Sequence, residues 1–194
     1  PRNDGFPNQN TRCLSSGENV HYLPLLDKSH LNGRHVCDEN KHMQPRFHIV
    51  MFHPEIPHNT GAAGRLALAT GSRLIKPLGF SLDEKHVRRT GLDYWAKVDL
   101  HVWDSLEELK QAAAPGAQFW YLSTKAPRSH WDAVFHAGDY LVFGPESRGL
   151  PESMLREHAD TALTIPMPGE GARSLNLSTA VAVVLFEGLR QTGI

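Results

Sequence analysis

From residue 47 onward, apolar and polar positions follow two alternating regimes. Short runs of β-branched or apolar residues at 47–52, 73–78, 97–103, 118–123, 139–144 and 162–166 predict strands. Between them, apolar residues recur at helical spacing and predict helices over 60–70, 83–90, 105–114 and 151–158. The segment LNLSTAVAVVLFEGLRQ predicts a last helix over 175–191. It is so apolar that most of its surface must be covered, in the core or at a dimer interface that includes Val183, Val184 and Phe186. Caps agree with these assignments. Asp104 or Ser105 can cap the 105–114 helix ahead of Glu107 and Glu108, and Pro151 suits position N1 of the next helix. Strands that alternate with helices need crossovers, so the sheet is largely parallel with helices on both faces, and the fold class is α/β. Trp103, Trp120 and Trp131 are assigned to packing.

Residues 1–42 break this pattern. They mix turn formers and charges without sustained periodicity, and their longest apolar stretch, 22–26, is short and broken by Pro24. They read as a flexible or cloning-derived leader ahead of one domain over 43–194, with Met43 as a natural start. With 40% hydrophobic and 21% charged residues, and no apolar run of membrane-spanning length, the chain reads as a soluble globular protein. Twenty basic against 21 acidic side chains give a formal charge of −1, so any contact with nucleic acid must come from a local patch. The two cysteines, Cys13 and Cys37, are too few for a disulfide scaffold. With His21, His30, His35 and His42 they match no common metal spacing, so no metal is expected and a reducing, cytoplasmic setting fits.

In a parallel α/β sheet, ligands bind beyond the carboxyl ends of the strands. Three of the loops there are unusual. HPEIPHNTGAAGR, after the first strand, brings backbone N–H groups, a helix start and Arg65 to one place, a set that can hold an anion. Its structural alternative is a proline-stiffened turn with Asn59 or Thr60 as N-cap, and Gly61 and Gly64 allowing close helix packing. It contains neither a Gly-Lys-Ser/Thr phosphate loop nor the GxGxxG dinucleotide pattern. FGPESRGLP, after the 139–144 strand, has Gly144 and Gly149 where main chain can approach a ligand, with Glu146 and Arg148 at the strand's end. IPMPGEGARSLNLS leads into the last helix through Ser174, Asn176 and Ser178, more polar groups than one cap requires.

Taken together these loops resemble the SPOUT superfamily of RNA methyltransferases and, within it, the TrmH-like 2′-O-methyltransferases. Asn59-Thr-Gly61-Ala-Ala-Gly-Arg65 resembles the family's N-x-G-x-x-x-R element, and Phe143-Gly-Pro-Glu146-Ser-Arg-Gly149-Leu its F-G-x-E-x-x-G-L element. Ile165-Pro-Met167 with Ser174-Leu-Asn176-Leu-Ser178 resembles the third. The resemblance spans 47–192, and HPEIPHNTG, KPLGF, RRTGLDYW and STK are similar to segments of the minimal TrmL (YibK) branch. The PGEGAR loop is one residue longer than is usual there, and the segment before Met43 has no counterpart.

The resemblance implies a Rossmann-like sheet with a C-terminal trefoil knot, a homodimer, and S-adenosyl-L-methionine as cofactor. Its implied cofactor contacts are Leu122, Gly144, Ile165 and Ser174, with Met167, Leu175 and Glu146 beside them. Leu122, Ile165 and Leu175 suit an adenine ring, and backbone groups of the glycine loop suit its nitrogens. The implied reaction is transfer of the methyl group to a ribose 2′-hydroxyl of tRNA, in this branch the wobble nucleotide, a cytidine or a modified uridine, of leucine tRNAs. Arg65 is the implied residue at the reacting end, oriented by Asn59 and by Asn176 or Ser174. A guanidinium with a pKa above about 12 is a poor proton acceptor, so the reading adopted is a grip on phosphate and stabilisation of the developing alkoxide. Lys85, Arg88, Arg89 and Lys97, interleaved with His86, Tyr94 and Trp95, form the candidate RNA patch, the alternative being a solvated helix with Trp95 in the core. Competing functions are a 2′-O-methyltransferase for another tRNA or ribosomal RNA site, and a non-catalytic RNA-binding relative.

Overall fold

The structure, a computed structural model, describes residues 46–77 and 94–193. The expected helix over 83–90, with Lys85, His86, Arg88 and Arg89, and the leader over 1–42 lie outside the described residues.

Among the described residues, seven strands form one sheet: β1 (His48–Met51), β2 (Arg73–Pro77), β3 (Leu100–Trp103), β4 (Phe119–Leu122), β5 (Arg128–Ser129), β6 (Tyr140–Phe143) and β7 (Ala162–Thr164). Their order is β3-β2-β1-β6-β4-β7-β5, and each neighbouring pair is parallel. Every residue of the central strands β1 and β6 is buried, which is why both read as continuous apolar runs rather than as alternation. Four helices complete the described fold: α1 (Pro57–Thr70), α2 (Leu106–Ala112), α3 (Glu152–Glu157) and α4 (Leu177–Thr192). Successive strand residues feed opposite layers. Ile49 and Met51 pack with Ala63 and Ala67 of α1 and Val181, Val184 and Leu185 of α4, whereas Val50 packs with Leu106 and Leu109 of α2 and, more loosely, Met154 and Leu155 of α3. Helices therefore cover both faces, as the pattern predicts. Val181, Val184 and Leu185 are fully buried, each removing apolar area from water worth roughly 2 kcal/mol. Gly188 lets α4 sit close to β1, because a Cβ there would lie 2.7 Å from the Phe47 ring. Among the described residues, no helix is long and apolar enough to cross a membrane.

Several local expectations are corrected. Neither Asn59 nor Thr60 caps α1; it begins at Pro57 with Ile56 as an N-cap that makes no side-chain bond. Pro at N1 has no N–H to leave unsatisfied, so the helix starts earlier than a polar cap would place it. Pro151 is itself the N-cap of α3 rather than its first helical residue. Residues 95–97 form a 3-10 turn, so β3 starts only at Leu100. β5, two residues long, carries too little pattern to be predicted. Ser105 does cap α2, accepting from the Glu108 N–H at 3.1 Å. Trp120 is buried and donates its indole N–H to Asp139, but Trp131 is 63% exposed and has no packing role in the core. On α4, Val184 belongs to the core, while Val183 and Phe186 remain exposed.

Candidate active site

The loops after β1, β4, β6 and β7 meet at the carboxyl edge of the sheet around a cavity of about 550 Å³. β4 contributes Leu122, the loop after β6 contributes Gly144 and Glu146, and the segment after β7 contributes Ile165, Met167, Ser174 and Leu175. Asn59 from α1 and Asn176 at the start of α4 complete the set. Residues dispersed over more than 100 positions of sequence thus share one concavity. The loop after β6 folds tightly: Gly149 adopts φ +69° and donates its N–H to the Pro145 carbonyl at 2.8 Å. A Cβ on Gly144 would lie 2.4 Å from backbone atoms of both Gly149 and Leu150, so only glycine lets the turn close.

Hydrogen bonds knit the three loops into one unit. Glu146 accepts from the backbone N–H of Glu55 at 2.7 Å and of Ile56 at 3.3 Å, and from Asn59 Nδ2 at 2.9 Å. Its carboxylate thereby takes the place of the missing side-chain cap at the start of α1, where the helix dipole favours an anion. Asn59 Oδ1 in turn accepts from Asn176 Nδ2 at 3.0 Å, and Asn176 Oδ1 caps α4 through the Ser178 N–H at 3.0 Å and hydroxyl at 2.7 Å. Asn59 is only 2% exposed, so these partners replace the water it has lost.

Arg65 is placed differently. It lies beyond the cavity lining, exposed on α1, with its guanidinium 4.5 Å from the centre of the Tyr94 ring. Tyr94 is fixed by its hydroxyl, which donates to the Gly61 carbonyl at 3.2 Å. Asn59 and Asn176 are committed to Glu146 and to each other, so the amide pair orients the carboxylate rather than the guanidinium. Trp95 is partly buried in the core beneath α1, where a Cβ on Gly64 would lie 2.6 Å from its indole. That placement matches the packing alternative for Trp95, while Lys97 is exposed.

Three further residues, Glu55, Lys125 and Arg173, escape the sequence reading, which names Arg148. Glu55 accepts from the Ser147 N–H at 2.9 Å and hydroxyl at 2.8 Å, reciprocating the Glu146 contact. The Ser147 hydroxyl, and then its N–H, hold the Glu55 carboxyl below the usual range. An acidic residue between Pro54 and Pro57 was the available signal. Lys125, Arg148 and Arg173 line the cavity, Lys125 being paired with Glu152 at 2.6 Å. Among the described residues, no group of His, Cys, Asp and Glu is suited to a metal.

The comparisons agree with this geometry. Residues 46–186 match the model of the SpoU rRNA Methylase family. The tRNA (cytidine(34)-2′-O)-methyltransferase of Saccharophagus degradans is 48% identical over 153 residues, covering 76% of this chain and 96% of its own. A solved structure described as giving structural insights into the 2-OH methylation of C/U34 on tRNA is 46% identical, with a TM-score of 0.69, covering 75% of this chain and 95% of its own. The SpoU methyltransferase AviRb from Streptomyces viridochromogenes, solved in complex with the cofactor AdoMet, is 25% identical with a TM-score of 0.63, covering 76% of this chain and 61% of its own. With its three loops joined at one cavity and the match running through nearly all of the described residues, the chain belongs to the SpoU methylase family and is a methyltransferase.

Proposed function

We propose that the chain transfers a methyl group from S-adenosyl-L-methionine to the ribose 2′-hydroxyl of the wobble nucleotide, position 34, of leucine tRNAs. The observation that carries this reading is the Glu146–Asn59–Asn176 junction, which fixes three loops around one cavity in a chain 48% identical to a tRNA (cytidine(34)-2′-O)-methyltransferase. The cavity suits the cofactor. Its volume lies in the range of small-molecule sites, and Leu122, Ile165, Met167 and Leu175 offer an apolar wall beside the polar turn at Gly144. When bound there, the cofactor supplies an electrophilic sulfonium methyl.

The chain's own residues supply binding, orientation and charge. The turn from Gly144 to Gly149 presents main-chain donors and acceptors, and the wall excludes water from one side. The amide pair holds the cavity edge rigid, so that little ordering is left for the moment of reaction. Arg65, stacked on Tyr94, is the positively charged group at the reacting end, gripping a phosphate and stabilising negative charge on the ribose oxygen. The position of Arg65 outside the cavity lining supports a site completed by a second copy of the chain. The exposed Val183 and Phe186 on α4 support a homodimer through that helix. Lys85, Arg88, Arg89 and Tyr94 serve as the RNA patch. The domain is assigned to residues 43–194, behind a leader over 1–42, with the segment between β7 and α4 threaded as a trefoil knot. The setting is cytoplasmic.

The test is mapping of 2′-O-methyl groups on tRNA from cells lacking this chain. Loss confined to position 34 of leucine tRNAs is the expected result. An unchanged tRNA pattern with a lost ribosomal RNA methyl would replace the substrate.

A further inference from the structure

We propose that Arg148 and Arg173 grip the phosphate backbone of the RNA strand that enters the cavity, an inference that rests on the reading of the cavity as a methyl-donor site for RNA. The two residues line it from different loops, Arg148 in the turn after β6 and Arg173 in the segment ahead of α4, and both are exposed. The other charged side chains of the lining are committed. Lys125 is paired with Glu152 at 2.6 Å, and the Glu146 carboxylate accepts three hydrogen bonds from residues 55, 56 and 59. Glu55 accepts two hydrogen bonds from Ser147 and feels the Arg148 charge without forming an ion pair with it. Among the described residues, neither Arg148 nor Arg173 has an ion-pair partner.

Two guanidinium groups without an ion-pair partner, in a cavity that also takes a sulfonium, outnumber the Glu146 carboxylate of the lining and favour a further anion there. RNA supplies that anion. A ribose 2′-hydroxyl in a strand has phosphates on either side, and the guanidinium fork matches their oxygens in a bidentate manner that lysine does not reproduce. The net charge of −1 gives no long-range attraction for a polyanion, so cations gathered at the cavity itself carry more of the association. The pair differs from the candidate patch around Tyr94 in that both arginines line the cavity itself.

The experiment measures binding of a leucine tRNA transcript against salt for the full chain, for Arg148→Gln, Arg173→Gln and the double variant, and for Arg156→Gln as an exposed cation outside the cavity. S-Adenosylhomocysteine binding is titrated in each. The expected result is a tenfold or greater loss of RNA affinity in the single variants. The salt slope should become shallower by about one per arginine, with S-adenosylhomocysteine binding and the Arg156→Gln slope unchanged. Unaltered RNA affinity in the double variant overturns the proposal. So does a loss of S-adenosylhomocysteine binding, which would assign the arginines to the carboxylate of the donor. If the unsubstituted chain binds RNA through the two arginines but neither binds S-adenosylhomocysteine nor methylates, the donor-site reading fails and the phosphate grip stands.

Discussion

The side-chain amide of Asn176 donates to the side-chain carbonyl of Asn59 at 3.0 Å, joining residues 117 positions apart. Each asparagine has a second duty: Asn59 holds Glu146, and Asn176 caps α4. Helix capping and cavity assembly are therefore one interaction, and damage to either residue reaches both.

Asn59→Ala should lower stability by about 1–2 kcal/mol, because it removes two hydrogen bonds made by a buried side chain and leaves the Asn176 amide and one Glu146 oxygen short of a partner. S-Adenosylhomocysteine affinity should fall about tenfold as the loop after β6 loses its anchor to α1. Urea denaturation and calorimetric titration read the two effects. Full affinity in a destabilised protein would show that the junction serves the fold alone.

Gly144→Ala should nearly abolish donor binding while the sheet persists. The added methyl meets backbone rather than a movable side chain, so the turn over 144–150 must open, at about 1–3 kcal/mol for overpacking of this kind. A retained circular dichroism spectrum with S-adenosylhomocysteine affinity lost is the expected combination.

Arg65→Lys should cut turnover at least tenfold with donor affinity unchanged. Lysine keeps the charge but loses the planar fork and its stacking on Tyr94. Since Arg65 stands outside the cavity lining, the defect belongs in kcat and in RNA affinity, not in donor binding. Near-normal turnover would remove the bidentate role.

His48 gives a pH dependence far from the site. It is buried in a stack 4.1 Å from Tyr140. Burial, aided by Arg73 and His101 and opposed by Asp99, holds its imidazole down to about 4. Below its unfolded pKa near 6.5 the unfolded chain binds the proton more readily, so the contribution is complete above pH 6.5 and is lost as pH falls toward 4. The loss is on the order of 3 kcal/mol. His48→Phe preserves a stacked ring and should flatten this part of the stability curve, as urea midpoints from pH 7 to 4 would reveal.

Much of the fold was legible because β1 and β6, buried on both faces, must be apolar throughout, and because the burial of Val181, Val184 and Leu185 requires an apolar α4. Helix starts were less legible. Asn59 has the chemistry of an N-cap, yet its amide is used by Glu146, 87 residues away, and the helix begins at Pro57. Trp131 illustrates the opposite limit: nothing local distinguishes an exposed indole from a buried one such as Trp120.

By itself, the sequence determined the α/β class and singled out three unusual loops, since residue type and period report local geometry and burial, while Leu122, Gly144, Ile165 and Ser174 of the cavity lining were named through the resemblance those loops carry. Only the tertiary structure decided the strand order β3-β2-β1-β6-β4-β7-β5, the partnership of Asn59 with Asn176 and Glu146, and the separation of Arg65 from the cavity. Those depend on which distant surfaces meet when apolar area is buried, and a polar side chain with several acceptable partners takes the one that packing brings within reach.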